Sequence, residues 1–175
     1  MSSIENLTKQ YQILTDWFLS VLEGIDDKDG ARTISENTNS LEWLAGHLIT
    51  GRYRNMSRLG IQLDTYLHID KFVNKTIPPP NAIPFSKTIE YPALSDSIEQ
   101  WNKYSKLFLE TLRNCDDEIL KTVTPLSLLT GNTVEDVLTF IVLHETYHIG
   151  QMSIIRKTLG YSEMKLGMTK VEPGK

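Results

Sequence analysis

VEDVLTFIVLHETYHIGQMSIIRKTLG, residues 134–160, is the stretch from which the rest of the chain is read. Val134, Val137, Ile141, His144, His148, Gln151 and Ile155 recur at alternating intervals of three and four, the spacing of a helix that turns one face into a bundle. Both histidines are therefore expected to point inward. Thr133 with Asp136 three residues later reads as a helix start, Arg156 and Lys157 suit the last turn, and Gly160 is a natural stop. Side chains at i and i+4 stand one above the other on a helix, so His144 and His148 can offer two nitrogens to a single metal ion. A third ligand is expected from elsewhere in the chain.

The same spacing occurs twice more, in a first and a third helix. Ile4, Leu7, Tyr11, Leu14, Phe18, Val21 and Ile25 predict a first helix ending near Gly24, followed by a polar turn over 26–30 and a loop over 31–38. Asn39 with Glu42 three residues on is the best capping match for a second helix over about 40–59. That helix carries Leu41, Leu44, Leu48, Met56 and Leu59 on or near one face and aligns His47 with Leu44 and Gly51, so His47 faces the same interior. Gly46 and Gly51 flank it, which suggests close approach to the backbone, in the simplest case tight helix packing. Arg52, Arg54 and Arg58 read as a solvated basic face. Leu94, Ile98, Trp101, Ser105, Phe108, Leu112, Cys115 and Ile119 predict a third helix, with Ser95 or Asp96 as its cap.

Between the second and third helices, residues 60–92 lose all periodicity and hold five of the seven prolines. Long connections of this kind often line binding sites, so this one is expected to cover the metal or to carry a short helix around 64–73. His68 lies in it and is read as a surface residue. The stretch 122–132 is read as a second, irregular connection, and the segment beyond Gly160 as a frayed tail. Four long helices, no strand run and one long crossover predict an all-α, up-down-down-up four-helix bundle, one domain over 1–175.

Composition narrows the function. The 175 residues carry 40% apolar and 23% charged residues and a formal charge of -4, which gives no reason to expect nucleic acid as a partner. No run approaches a membrane span and no basic, apolar leader follows Met1, so a cytoplasmic protein is expected. The single cysteine, Cys115, excludes an internal disulfide and a thiolate cluster, and reads as a small structural hydrophobe. A metal site here must use histidine or carboxylate. Leaving two neutral imidazoles unpaired in an apolar stripe would cost about 1–3 kcal/mol each, and a divalent ion held by His47, His144 and His148 removes that cost. Three histidines leave a coordination position open, as reactive metal sites do.

Residues 144–148 also spell HExxH, in which the glutamate beside the first ligand serves as general base. No histidine follows His148, and the downstream carboxylates Glu163 and Glu172 are 15 and 24 residues away in an unpatterned tail. A peptidase would also need a sheet to hold extended substrate, so this reading ranks last. Glu145 is a general-base candidate only for hydrolysis and otherwise an exposed helix residue. Tyr147 reads as packing.

His47 in LEWLAGHL together with HETYHIGQMSIIRKTLG resembles the DinB/YfiT-like superfamily of metal-dependent proteins. The matching positions are His47, His144, His148, Gly150, Gln151, Arg156 and Gly160, and the similarity extends over most of the chain. The resemblance implies zinc or nickel held by the three histidines, a homodimer, and transfer or isomerisation chemistry with a low-molecular-weight thiol as cofactor. The competing expectation is a non-catalytic bundle fixed by its metal and used for interaction.

Overall fold

The computed structural model describes residues 2–63, 68–76 and 81–167. Its four long helices are α1 (Ser3–Leu22), α3 (Leu41–Arg58), α4 (Leu94–Asn114) and α6 (Val134–Thr158), with short helices α2 (Asp27–Gly30) and α5 (Asp117–Lys121) between them. Each long helix exists because its three-and-four apolar stripe finds a partner. Phe18 stacks on Trp101 at 3.9 Å between ring centroids, and Tyr11 meets Phe108 edge-on at 4.6 Å. These pairs make α1 antiparallel to α4. The Tyr11 hydroxyl donates to the Leu138 carbonyl, and Arg156 donates to those of Val21 and Glu23, so α1 and α6 run the same way. Helix α3 sets Trp43 near His148 and Arg52 beside Glu145, antiparallel to α6. The order is therefore up-down-down-up, with α1 and α3 each packed between α4 and α6.

The helix ends are held by groups from outside as well as within. Ser2 and Glu5 form a capping box on α1, and Thr133 and Asp136 form the expected one on α6. Helix α3 starts one residue later than predicted. Ser40, and not Asn39, is its N-cap, accepting from the Trp43 amide. Neither Ser95 nor Asp96 caps α4; Asp27 of α2 takes the Ser95 amide and hydroxyl, each at 3.0 Å, so the cap comes from another element. Arg156 does the converse at the end of α1, where its guanidinium satisfies carbonyls that have no helical partner. Gly24, at φ +74°, turns the chain away there, and Ile25 lies beyond the helix.

The structure departs from the sequence reading in three segments. The third helix stops at Asn114: Cys115 is extended and half-buried, and Asp116 caps the separate α5. Residues read as an irregular connection form an antiparallel hairpin, β3 (Val123–Leu128) with β4 (Gly131–Thr133). Its exposure alternates residue by residue, a strand period that Pro125 obscures in the sequence. The tail is not frayed over 161–167. Tyr161 donates to Asp29, Trp17 donates to the Leu166 carbonyl, and the Lys165 amide donates to Ser20.

The long crossover contains a 3-10 turn (Ile69–Lys71) and a second small hairpin, β1 (Val73–Asn74) with β2 (Asn81–Ala82). Of the short helix expected around 64–73, the described residues show that turn, and residues 64–67 lie outside them. Phe72, fully buried, lies against Gly46, where a Cβ would overlap its ring. This is the close approach that the glycine implied. Nothing comparable meets Gly51.

Candidate metal centre

His47 on α3 and His144 and His148 on α6 are brought together by the antiparallel packing of these two helices. The Nε2 atoms of His47 and His148 each lie 3.1 Å from Nε2 of His144, and the three donor atoms fall within 4.8 Å of one another. One imidazole nitrogen carries either one proton or one lone pair. His144 Nε2 therefore cannot satisfy both neighbours by hydrogen bonding, whereas a cation between them is met by three lone pairs at once. His68, half-buried in the crossover, is outside this cluster.

The surroundings fix each ring. His148 Nδ1 lies 2.7 Å from Gln151 Oε1, which can only accept there, so Nδ1 carries the proton and Nε2 is left with its lone pair. The Gln151 amide nitrogen in turn donates to the Tyr147 hydroxyl at 3.0 Å. Tyr147 is itself 62% exposed, not packed in the core as the sequence suggested. His47 lies flat on Trp43, with centroids 4.8 Å apart and an 8° interplanar angle. The Trp43 indole donates to the Ile83 carbonyl of the crossover, so the long connection holds one wall of the centre.

Electrostatics keep these nitrogens unprotonated. Burial, with the neighbouring histidines, brings His47 down to about 3. Burial and His148 bring His144 down to about 4. His148 is also lowered by burial, against the opposing effect of its bond to Gln151. All three are neutral bases at pH 7, the form that ligates a metal. The donor set, the convergence and the tautomer held by Gln151 fit a divalent transition metal.

Beneath this centre sits a polar group that the sequence reading placed on the surface. Arg52 is fully buried and Glu145 is 1% exposed. Their contact is bidentate: Nε donates to Oε1 at 3.0 Å and Nη2 to Oε2 at 2.8 Å. Nη1 donates to Thr15 at 2.6 Å and to Ser105 at 2.7 Å, and the guanidinium carbon stands 3.8 Å over the Trp101 ring. One residue from each long helix thus meets at a single point. The basic face predicted for Arg52 is wrong for that residue, and the exposed position predicted for Glu145 is wrong as well. Charge alone argued for solvent, and the partner that makes burial tolerable lies 93 residues away. A clue was available: Glu145 falls on the line Leu138, Val142, Glu145, Ile149, Met152, Arg156, which is the buried centre of α6. His144 and His148 lie at the edge of that stripe, His144 half-buried and His148 9% exposed. The ligands therefore sit where the core meets solvent. Both Glu145 oxygens are engaged by Arg52, so this HExxH sequence does not have the free carboxylate that the peptidase motif requires.

A family model for the DinB superfamily matches residues 10–152. Among solved structures, the chain is similar to a DinB-like protein from Bacillus cereus, at 17% identity and TM-score 0.67, over 95% of this chain and 97% of that one. It is similar also to a conserved protein from Enterococcus faecalis, at 14% identity and TM-score 0.61, over 90% and 97% of the two chains. A third is YfiT from Bacillus subtilis, described as a probable metal-dependent hydrolase with an unusual four-helix bundle topology, at 15% identity and TM-score 0.61, over 93% and 91%. No curated protein matches the chain in sequence.

Proposed function

We propose that this chain, which belongs to the DinB superfamily, holds zinc or nickel through the Nε2 atoms of His47, His144 and His148 and catalyses transfer chemistry on a low-molecular-weight thiol. The observation that carries this reading is the convergence of three neutral imidazoles on one point at the rim of the core. A divalent ion held by three histidines supplies Lewis acidity at an open position, lowering the pKa of water toward about 7 and favouring the thiolate form of a thiol. The chain's own part is positional. Gln151 sets the tautomer of His148, Trp43 fixes the plane of His47, and the Arg52–Glu145 pair sets how α6 sits against α3. A thiol suits this site because its own pKa, near 8.5, makes it a nucleophile without a general base, and Glu145 is committed elsewhere. Hydrolysis is the second reading, favoured by the description of YfiT.

Elemental analysis of the purified protein and of its His47→Ala, His144→Ala and His148→Ala variants tests the centre, with circular dichroism as the check on folding. About one transition metal per chain in the wild type, lost in each variant while the helices persist, is the expected result. Wild-type protein that takes up no metal on dialysis ends the reading. Nickel-loaded protein should then change its absorption spectrum on addition of a low-molecular-weight thiol, and full loading without any such change removes the thiol part alone. If chelation instead melts the bundle, the metal is structural and the protein is the non-catalytic alternative.

A cytoplasmic homodimer remains part of the proposal. Leu143, Tyr147 and Ile154 are 60%, 62% and 63% exposed along the outer side of α6, a face whose burial would favour a second copy. No helix among the described residues is long and apolar enough to cross a membrane. Sedimentation velocity on wild type and Leu143→Glu reads the oligomer directly, and a monomeric wild type would reject it.

A further inference from the structure

Leu44 precedes His47 by three residues on α3, and Gln151 follows His148 by three on α6. Because the two helices are antiparallel, both residues lie about 4.5 Å beyond the histidines along the helix axes, on the same side of them. There the loop between α2 and α3 closes over the groove and leaves a hollow of about 190 Å³. Leu44, 0% exposed, and Ile155, 4% exposed, form its floor, with Ile34 of the loop and Ile154 beside them. Asn37 and Asn39 stand at its rim. The loop is held in shape by Thr38, whose hydroxyl accepts from the Ser35 amide at 3.0 Å and donates to the Ser35 carbonyl at 3.1 Å. The hollow is therefore formed before any ligand arrives.

Three properties define the occupant. No charged side chain is among the described residues lining the hollow, so an ionised ligand would lose hydration with nothing to replace it. The side-chain amides of Asn37 and Asn39 have no hydrogen-bond partner among the described residues, and they can serve a neutral polar head. The volume is a little above the roughly 150 Å³ at which an apolar cavity takes up a benzene ring, which sets a size of roughly six to eight non-hydrogen atoms. We infer that the hollow binds a neutral small molecule of that size, an aliphatic body with an amide, carbonyl or hydroxyl head, and that Gln151 couples its occupancy to the metal centre. Gln151 lines the hollow, and its Oε1 lies 2.7 Å from His148 Nδ1. A ligand packed against Gln151 restricts the carboxamide to the rotamer that keeps the proton on Nδ1 and the lone pair on Nε2. Metal binding needs that same tautomer, so ligand and metal favour each other, equally in both directions. The coupling rests on the metal-dependent reading above, whereas the site itself can be measured without any metal.

The test is a protein-observed NMR titration of pentanamide and pentanoate, a neutral and a charged molecule of one shape, into metal-free wild type and Asn37→Trp. Asn37 is exposed, so its replacement leaves the core untouched while the indole fills the hollow. Saturable pentanamide binding in the millimolar range is expected, with shifts centred on the amides of Asn37, Asn39, Gln151 and Ile155. Pentanoate should bind about tenfold more weakly, and pentanamide should lose about tenfold in Asn37→Trp. In zinc-loaded wild type pentanamide should bind about fivefold more tightly, a gain absent from Gln151→Leu saturated with zinc. Equal binding of pentanoate, shifts centred elsewhere, binding that survives Asn37→Trp, or no saturation in wild type each overturns the site. An affinity that falls as protein concentration rises means that a second copy occupies the hollow, and overturns it as well. Equal pentanamide affinity with and without zinc overturns the coupling. Protein that takes up no zinc overturns the coupling together with the metal reading, while the metal-free titration still decides the site.

Discussion

Replacing Glu145 with glutamine separates a buried structural carboxylate from a catalytic one. The substitution keeps size and shape but turns one guanidinium-facing oxygen into an amide donor, leaving a charge in a site that is 0% exposed at Arg52 and 1% at Glu145. Breaking a buried pair by removing one partner costs about 3–5 kcal/mol. The remaining bonds from Arg52 to Thr15, Ser105 and the Tyr11 carbonyl, and the Trp101 face, still hold the guanidinium. They place the expected loss toward the lower end of that range. At about 2–4 °C per kcal/mol for a chain of this size, Glu145→Gln should lower the melting temperature by roughly 6–15 °C. The assay is circular dichroism on metal-free protein, with urea unfolding as a second measure. The double variant Arg52→Met with Glu145→Leu should recover most of the loss, because no unpaired charge is left. A Glu145→Gln variant that melts within about 2 °C of wild type, binds metal and has lost activity would refute the reasoning and restore Glu145 to the HExxH role.

Three other outcomes follow from the geometry. His47 and His144 have folded pKa values near 3 and 4, depressed from an unfolded value near 6.5, so the unfolded chain binds more protons between these limits. Stability of metal-free protein should be flat above pH 7 and fall with acidification through that window, by up to about 1.4 kcal/mol per pH unit for each histidine; His47→Gln should reduce the slope, and an unchanged slope contradicts the burial argument. Gln151→Leu removes the acceptor at His148 Nδ1 and should weaken metal affinity by about 10–100-fold with little change in helix content, measured by competition with a chromophoric chelator. Gly46→Ala should cost about 1–3 kcal/mol by displacing Phe72, which denaturant titration reads, whereas Gly51→Ala, facing open space, should cost nothing measurable.

The bundle was legible in the chain because each long helix carries its own apolar stripe, and a stripe is a local property. Three of the four helix ends lie within a residue or two of their predicted positions for the same reason, since Gly24, Gly60 and Gly160 act on their own backbone. The hairpin at Val123–Leu128 was not legible: it is half-exposed, and Pro125 obscures its strand period. The histidine pair needed only the i, i+4 rule, and His47 needed only its place on the second stripe.

Arg52 and Glu145 show the limit of such reading. Either residue alone reads as solvent-facing, because burying an unpaired charge is unfavourable in any local context, and only the up-down-down-up packing supplies the partner, the two hydroxyls and the indole face together. The same packing puts three imidazole nitrogens within 4.8 Å of one another. Periodicity specified which face of each helix turns inward, since that depends on residues within two turns. Which inward residues meet depended on helix order and direction, and these are set by the sum of contacts between segments far apart in sequence.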